Sequence, residues 1–200
     1  MMKKWGAVFL SALLLIGAFS ILPIHGEAQI YDNVIRLHVR ANSNSDEDQS
    51  LKLLVRDAVL AYTEPLLAGV QSKDEAEAVL RSALPELEEI SRQTLCANGS
   101  NAPVCVSLER ESYPRRTYEA IALPAGEYLS LLVQIDEAEG ENWWCVLFPP
   151  LCLSAASVDA EATCLSAGLT QEQYRLIADT EDTKYQLRFK ILEVAAQILD

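Results

Sequence analysis

Hydrophobic and polar positions change their period along the chain, and each change marks an element. From Asn33 to Ala41 the period is two, with Ile35, Leu37, Val39 and Ala41 on one side and Arg36, His38 and Arg40 on the other. This predicts a strand with one core face and one basic, exposed face. Asn42-Ser43-Asn44-Ser45 is rich in residues that hydrogen-bond their own backbone, and Ser45 with Asp48 three residues on resembles a capping box. A helix is expected to begin there, with Leu51, Leu54, Val55, Ala58 and Tyr62 inward and Lys52, Arg56 and Asp57 on the wetter side. Pro65 is expected to kink its last turns and Gly69 to close it as a left-handed cap. Ser72 and Glu75 open a second helix carrying Ala76, Val79, Leu80, Ala83 and Leu84 inward. Pro85 is expected to interrupt it and to open a third, with Leu87, Ile90 and Leu95 inward. Glu77, Glu86, Glu88 and Glu89 read as solvated helix faces rather than as catalytic carboxylates.

From Asn98-Gly99 onward the period returns to two. Val104, Val106 and Leu108 predict one strand, Thr117 to Leu123 a second, and Tyr128 to Ile135 a third entered through the turn Pro124-Ala125-Gly126-Glu127. Trp143-Trp144-Cys145-Val146-Leu147-Phe148 is an unbroken apolar run that suits a strand buried on both faces, and Pro149-Pro150 stops it. The order predicts an α+β single domain, a mainly antiparallel sheet packed against helices, over residues 29–153. Residues 154–182 read as a linker or variable region, small and polar from Ser154 to Thr170. Residues 183–200 read as a last helix packed on the core, with Leu187, Ile191, Val194 and Ile198 at helical spacing.

Charge and hydropathy change the picture at the N-terminus. The chain of 200 residues has a net charge of −13 together with a mean hydropathy of +0.09, so an apolar segment is being averaged with an acidic body. Lys3 and Lys4 precede Ala7 to Leu22, which carries no charge, and Gly26-Glu27-Ala28 offers small residues for a signal peptidase. Residues 1–28 are therefore expected to be a signal peptide cleaved after Ala28; the alternative is an uncleaved anchor, which alone would bring membrane contact. Sixteen helical residues rise about 24 Å, short of the roughly 30 Å hydrocarbon core. Cleavage removes two lysines and one glutamate and leaves 14 basic and 28 acidic residues, a net charge of −14. Such acidity excludes nucleic acid as a partner, because that affinity comes from cations that neutralise phosphates. All five cysteines lie beyond the leader, where thiols can oxidise; an odd count leaves at least one free or paired between chains.

Most catalytic schemes lack their residues. His25 leaves with the leader, so a mature chain with His38 alone has no two-histidine zinc site, and the eight scattered glycines form neither a Gly-x-Gly fingerprint nor a phosphate loop. No metal and no small-molecule cofactor is expected. A secreted hydrolase in which His38 serves a Cys or Ser nucleophile is the catalytic alternative, although no Gly-x-Ser-x-Gly elbow is present. On the surface, Arg36, His38 and Arg40 make a cationic stripe and Tyr113-Pro114-Arg115-Arg116 a second basic spot; internal pairing with the many carboxylates is favoured over partner recognition. Trp143 and Trp144 point to opposite sides of their strand. The Pro149-Pro150 turn between Cys145 and Cys152 is expected to let them close a short disulfide loop.

Three stretches carry a resemblance. Arg36-Leu37-His38-Val39 leading to Ala41-Asn42-Ser43-Asn44-Ser45, then Asp48-Gln49, Leu51-Lys52 and Val55-Arg56-Asp57, resembles the first motif of the stage II sporulation protein R family. Pro124-Ala125-Gly126-Glu127-Tyr128 and Asn142-Trp143-Trp144-Cys145-Val146-Leu147-Phe148-Pro149-Pro150-Leu151-Cys152 resemble its other two, and Tyr185-Leu187-Phe189-Lys190 is similar to its C-terminal end. Departures are Asn44, where the family usually has Asp, and Glu119, where Gly is common; Cys96, Cys105 and Cys164 lie outside the pattern. The resemblance implies a non-enzymatic signal of endospore formation, secreted into the space between the forespore and mother-cell membranes. Its implied partner is a membrane-embedded aspartic protease that cuts the pro-sequence from the mother-cell sigma factor E. No catalytic residues come with the family. Arg36, His38, Arg40, Asn42, Ser43, Ser45, Arg56, Pro124, Gly126, Glu127, Tyr128, Asn142, Trp143, Trp144, Pro149 and Pro150 carry over as candidate contact or folding positions.

Overall fold

A computed structural model describes residues 30–118, 121–152 and 159–178. In chain order these form β1 (Ile35–Arg40), α1 (Asp46–Leu67), α2 (Lys73–Ala97), β2 (Val104–Tyr113), β3 (Arg116–Thr117), β4 (Ala122–Leu123), β5 (Gly126–Ile135), β6 (Asn142–Phe148), α3 (Ala160–Ser166) and α4 (Gln171–Ala178). The expected leader over 1–28 and the expected helix over 183–200 lie outside the described residues. Among the described residues no helix is long and apolar enough to cross a membrane.

The architecture is α+β, with a four-stranded sheet in the order β2-β5-β1-β6. β5 pairs antiparallel with β2, and β1 antiparallel with β6, but β1 runs parallel to β5. The centre of the sheet is therefore mixed. The reason is geometric: β5 and β6 run in opposite directions, so a strand inserted between them must be parallel to one. The long two-helix excursion after β1 frees it to sit there, in the manner of a crossover.

Local signals set the helix starts as the sequence predicts. Ser45 Oγ accepts the Asp48 N–H at 3.1 Å, and Ser72 Oγ accepts the Glu75 N–H at 3.3 Å. Each satisfies one of the amide groups a helix N-terminus leaves without an internal partner. Gly69 follows α1 at φ +81°. Gly99, at φ +83°, closes α2: the Gly99 N–H donates to Cys96 O and the Ser100 N–H to Leu95 O, the paired bonds of a Schellman motif.

Several expectations change. α2 is one helix of 25 residues that runs through Pro85. The ring lies on the exposed side, where a missing amide bond leaves its acceptor to water. α1 likewise continues through Pro65. Its buried stripe is rotated from the predicted one: Val59, Leu60 and Thr63 are inward, Leu54 is exposed and Lys52 is buried. Lys52 Nζ donates to Glu141 O at 3.0 Å and to Gln49 Oε1, which is why a lysine is tolerated there; its burial also pushes its pKa down. The stretch expected as one strand from Thr117 to Leu123 folds back on itself as the β3–β4 pair. Within the region read as a linker, residues 160–178 form α3 and α4; Asp159 Oδ1 caps α3 by accepting the Ala162 N–H at 3.1 Å, and Cys164 and Ile177 face inward.

The main core lies between the sheet and α1–α2, where Leu37, Val39, Leu131 and Val133 meet Val55, Val59, Leu80 and Leu87. A second apolar cluster lies on the other face, built from Ile30, Tyr113, Leu123, Tyr128, Cys164 and Ile177. Because the sheet is covered on both sides, the predicted division of β1 into a core face and an exposed basic face does not hold. Both of its faces are buried.

Candidate functional site: the arginine face of the sheet

Strand alternation gathers polar side chains on the face turned away from α1 and α2. β1 supplies Arg36, His38 and Arg40, β2 supplies Glu111 and Tyr113, β5 supplies Tyr128 and Ser130, and β6 supplies Asn142 and Trp144. Arg36 is 0% exposed. Its Nε donates to Cys145 O at 3.2 Å, its Nη2 to the Tyr118 hydroxyl, and its guanidinium carbon stands 4.2 Å from the Tyr113 ring centre and 5.2 Å from that of Tyr128. Aromatic faces here take the place a carboxylate would hold, and they attract a cation through the ring quadrupole. The expected internal pairing holds for His38, which meets Glu111, but among the described residues Arg36, Arg40 and Arg116 form no ion pair.

His38 is 7% exposed, so it is not the exposed strand histidine that alternation suggests. Its Nδ1 lies 3.0 Å from Glu111 Oε1 and its Nε2 2.8 Å from Asn142 Oδ1. Both nitrogens are engaged, and among the described residues no hydroxyl or thiol is hydrogen-bonded to either. Glu111 also accepts from the Tyr113 hydroxyl at 3.1 Å, and that hydroxyl takes the Ser130 Oγ–H at 2.6 Å. Burial pushes the Glu111 carboxyl up, but the polar contacts around it, His38 first among them, outweigh burial and hold the group below its ordinary value of 4.5. Tyr113 is moved well above the ordinary phenol range, mainly by burial, and stays protonated.

The sign for stability follows. A carboxylate with a lowered native pKa adds stability that is present above the unfolded value and lost as pH falls through the native one. Glu111→Gln removes that contribution. Urea unfolding should therefore show a gap between wild type and Glu111→Gln that is constant above about pH 4.5 and narrows below it. Parallel curves into acid would contradict this.

Three donors on this face, Arg36 Nη1, Arg40 Nε and Trp144 Nε1, are buried with no hydrogen-bond partner among the described residues. Trp144 is half-buried, 5.4 Å from the His38 ring, with the Arg116 guanidinium 4.1 Å above its own ring. The β3–β4 pair thus drapes over the face through Arg116 and Tyr118. Glu119 lies outside the described residues.

The other candidate positions separate into structural groups. Asn42 Nδ2 and Ser43 Oγ both donate to Asp48 Oδ2, at 3.1 and 2.5 Å, and with Ser45 they organise the start of α1; the Ser43 bond chiefly holds the Asp48 carboxyl below its usual range. Arg56 and Trp143 meet on the helix side, guanidinium over ring at 4.2 Å, with Trp143 36% exposed. The predicted burial of the Trp143 end of β6 does not hold, because this strand forms one edge of the sheet. Gly126 lies where a Cβ would meet the Tyr31 ring at 2.5 Å; Tyr128 is buried and donates to Pro124 O at 2.8 Å, while Glu127 is exposed. Cys145 and Cys152 are joined in a disulfide with Cα atoms 5.4 Å apart, around a buried Pro149 and an exposed Pro150. Cys96 and Cys105 are exposed free thiols, and the Cys164 thiol is pushed up to about 11 by burial.

Sequence reasoning missed Glu111 and Ser130. The signal was available: the alternation of Val104, Val106 and Leu108 continues to Tyr113, and it places Glu111 on the same side as Tyr113.

Fold and face together define an α+β domain with a mixed sheet, two long helices on one side and a caged arginine on the other. The chain belongs to the stage II sporulation protein R family: the family described as "Stage II sporulation protein R (spore_II_R)" matches residues 31–158, which include every strand of the arginine face. A relative from Bacillus subtilis (strain 168), "Stage II sporulation protein R", is 43% identical over 123 residues, 62% of this chain and 55% of its own length. The chain thus spans little more than half the length of that relative. No solved structure matches.

Proposed function

We propose that this protein is a secreted sporulation signal that activates a membrane-embedded aspartic protease, and so triggers removal of the pro-sequence from sigma factor E in the mother cell. Family membership over residues 31–158 carries the reading. In this account the chain leaves the forespore through its N-terminal segment and works in the space between the two membranes. It is a ligand of the protease and not itself an enzyme. Physically it must bind the active conformation of the protease better than the inactive one, since equal affinity shifts no equilibrium. The engagement of both His38 nitrogens by Glu111 and Asn142 supports a structural role for this histidine over service to a nucleophile. The test is co-expression of the chain, the protease and the pro-sigma substrate in a host that does not sporulate. Cleavage should require all three, and uncleaved substrate beside folded, exported chain would refute direct activation.

A further inference from the structure

We infer that the arginine face is a carboxylate-binding site, and that it recognises an acidic side chain of a partner polypeptide. The first ground is electrostatic. On a chain of net charge −13, Arg36, Arg40 and Arg116 share one face and pair with no carboxylate among the described residues. Among the described residues the acids on that face are otherwise occupied: Glu111 is held by His38 and Tyr113, and Glu109, exposed at the β2 edge, takes the Ser107 hydroxyl at 3.1 Å. A fully buried guanidinium without a counter-charge is costly, and its field reaches further through protein than through water.

The second ground is the orphaned donors. Among the described residues Arg36 Nη1, Arg40 Nε and Trp144 Nε1 are buried without a partner, and neither guanidinium nor indole can accept a hydrogen bond. What completes them must be an acceptor. Trp144 is directly opposite His38, and Arg40 is the next residue of β1 on the same face, so their side chains are diagonal neighbours. Arg40 is half-buried, so the residue reaches the surface although its Nε is covered, and its guanidinium has the planar two-point geometry that matches a carboxylate. Arg36 lies four residues away, roughly 13 Å along the strand. It contributes field rather than contact, because Tyr118 and Tyr113 enclose it.

A carboxylate on a polypeptide fits better than a phosphate. The aromatic surface of Trp144 beside the donors suits the apolar stem of a glutamate, which a phosphate lacks.

The inference rests on the reading of this chain as a protein ligand only for the partner's identity. Its test needs no protease, so failure here leaves that reading to its own experiment. The full chain is titrated with a blocked tetraglutamate peptide, with tetraglutamine and inorganic phosphate as controls, following the Trp144 indole N–H resonance assigned through Trp144→Phe. Tetraglutamate should shift this resonance saturably. Arg40→Gln, at a half-buried position, should weaken binding at least tenfold with an unchanged thermal midpoint, and Arg40→Lys should fall between. No shift at millimolar peptide, an equal response to tetraglutamine, or an equal response to phosphate would each overturn the proposal.

Discussion

Replacing Gly140 by alanine is expected to cost about 3 kcal/mol or more, the upper part of the range for overpacking a rigid site. The reason is backbone against backbone. A Cβ at this position would stand 2.2 Å from Ser43 O and 2.6 Å from Ser43 C, with Ala41 Cβ at 2.9 Å. The loop between β5 and β6 passes directly over the end of β1 and is laced to it. The Gly140 N–H donates to Ala41 O at 2.9 Å, the Glu139 N–H to Asn42 O at 3.0 Å, and the Glu141 N–H to Asn44 Oδ1 at 2.6 Å. No flexible side chain can give way, so the two loops must separate and break bonds at the start of α1. Denaturant unfolding should show the midpoint shift at unchanged m-value. A loss below about 0.5 kcal/mol, typical of a neutral surface change, would show that the loop is not held there.

Removing the disulfide by Cys145→Ser with Cys152→Ser is expected to cost about 2.5 kcal/mol, the loop-entropy value for a closed loop of about eight residues. The cystine joins residues seven apart in sequence. A second consequence is specific to this fold. The carbonyl of Cys145 accepts the Arg36 Nε–H, so loosening the 145–152 loop also loosens a bond that orients the caged guanidinium. The double variant should therefore weaken carboxylate binding as well as stability, whereas a stability loss elsewhere in the core would not. Thiol counting checks the premise: the denatured, unreduced chain should label at three cysteines and the reduced chain at all five.

Features written in adjacent residues could be read from the sequence. Ser45 and Ser72 cap their helices because a side chain and an amide three residues apart decide the matter. The disulfide was readable for the same reason, with two prolines between its cysteines. Features decided by distant chain were not. Lys52 is buried because Glu141, far along the chain, offers a carbonyl, and Leu54 is exposed because the helix is rotated to bring Lys52 to it. Pro85 ends nothing, because whether a proline breaks a helix depends on which side it faces. At the candidate site, alternation places Arg36, His38 and Arg40 on one side of their strand, but Asn142 and Trp144 stand in a separate motif, and only the pairing of β1 with β6 brings them together. Sequence reasoning misjudged their burial, since the cover comes from the β3–β4 pair and the aromatic side chains of β2 and β5. Asn42, Ser43 and Ser45 were candidate contact or folding positions, and the capping network of α1 gives them a folding role.

The position of β1 also dictates an order of assembly. It is the first strand among the described residues and an interior strand of the sheet, yet Ile35 finds its neighbours only at Leu129 and Phe148. At ribosomal rates of 5 to 20 residues per second, roughly 5 to 20 seconds pass before the first of them is made. α1 and α2 can form meanwhile, since their contacts are local, but the sheet cannot close. The sheet stays without its centre until Phe148 of the 200 residues has been made, so the chain spends most of its synthesis with its helices formed and its sheet open.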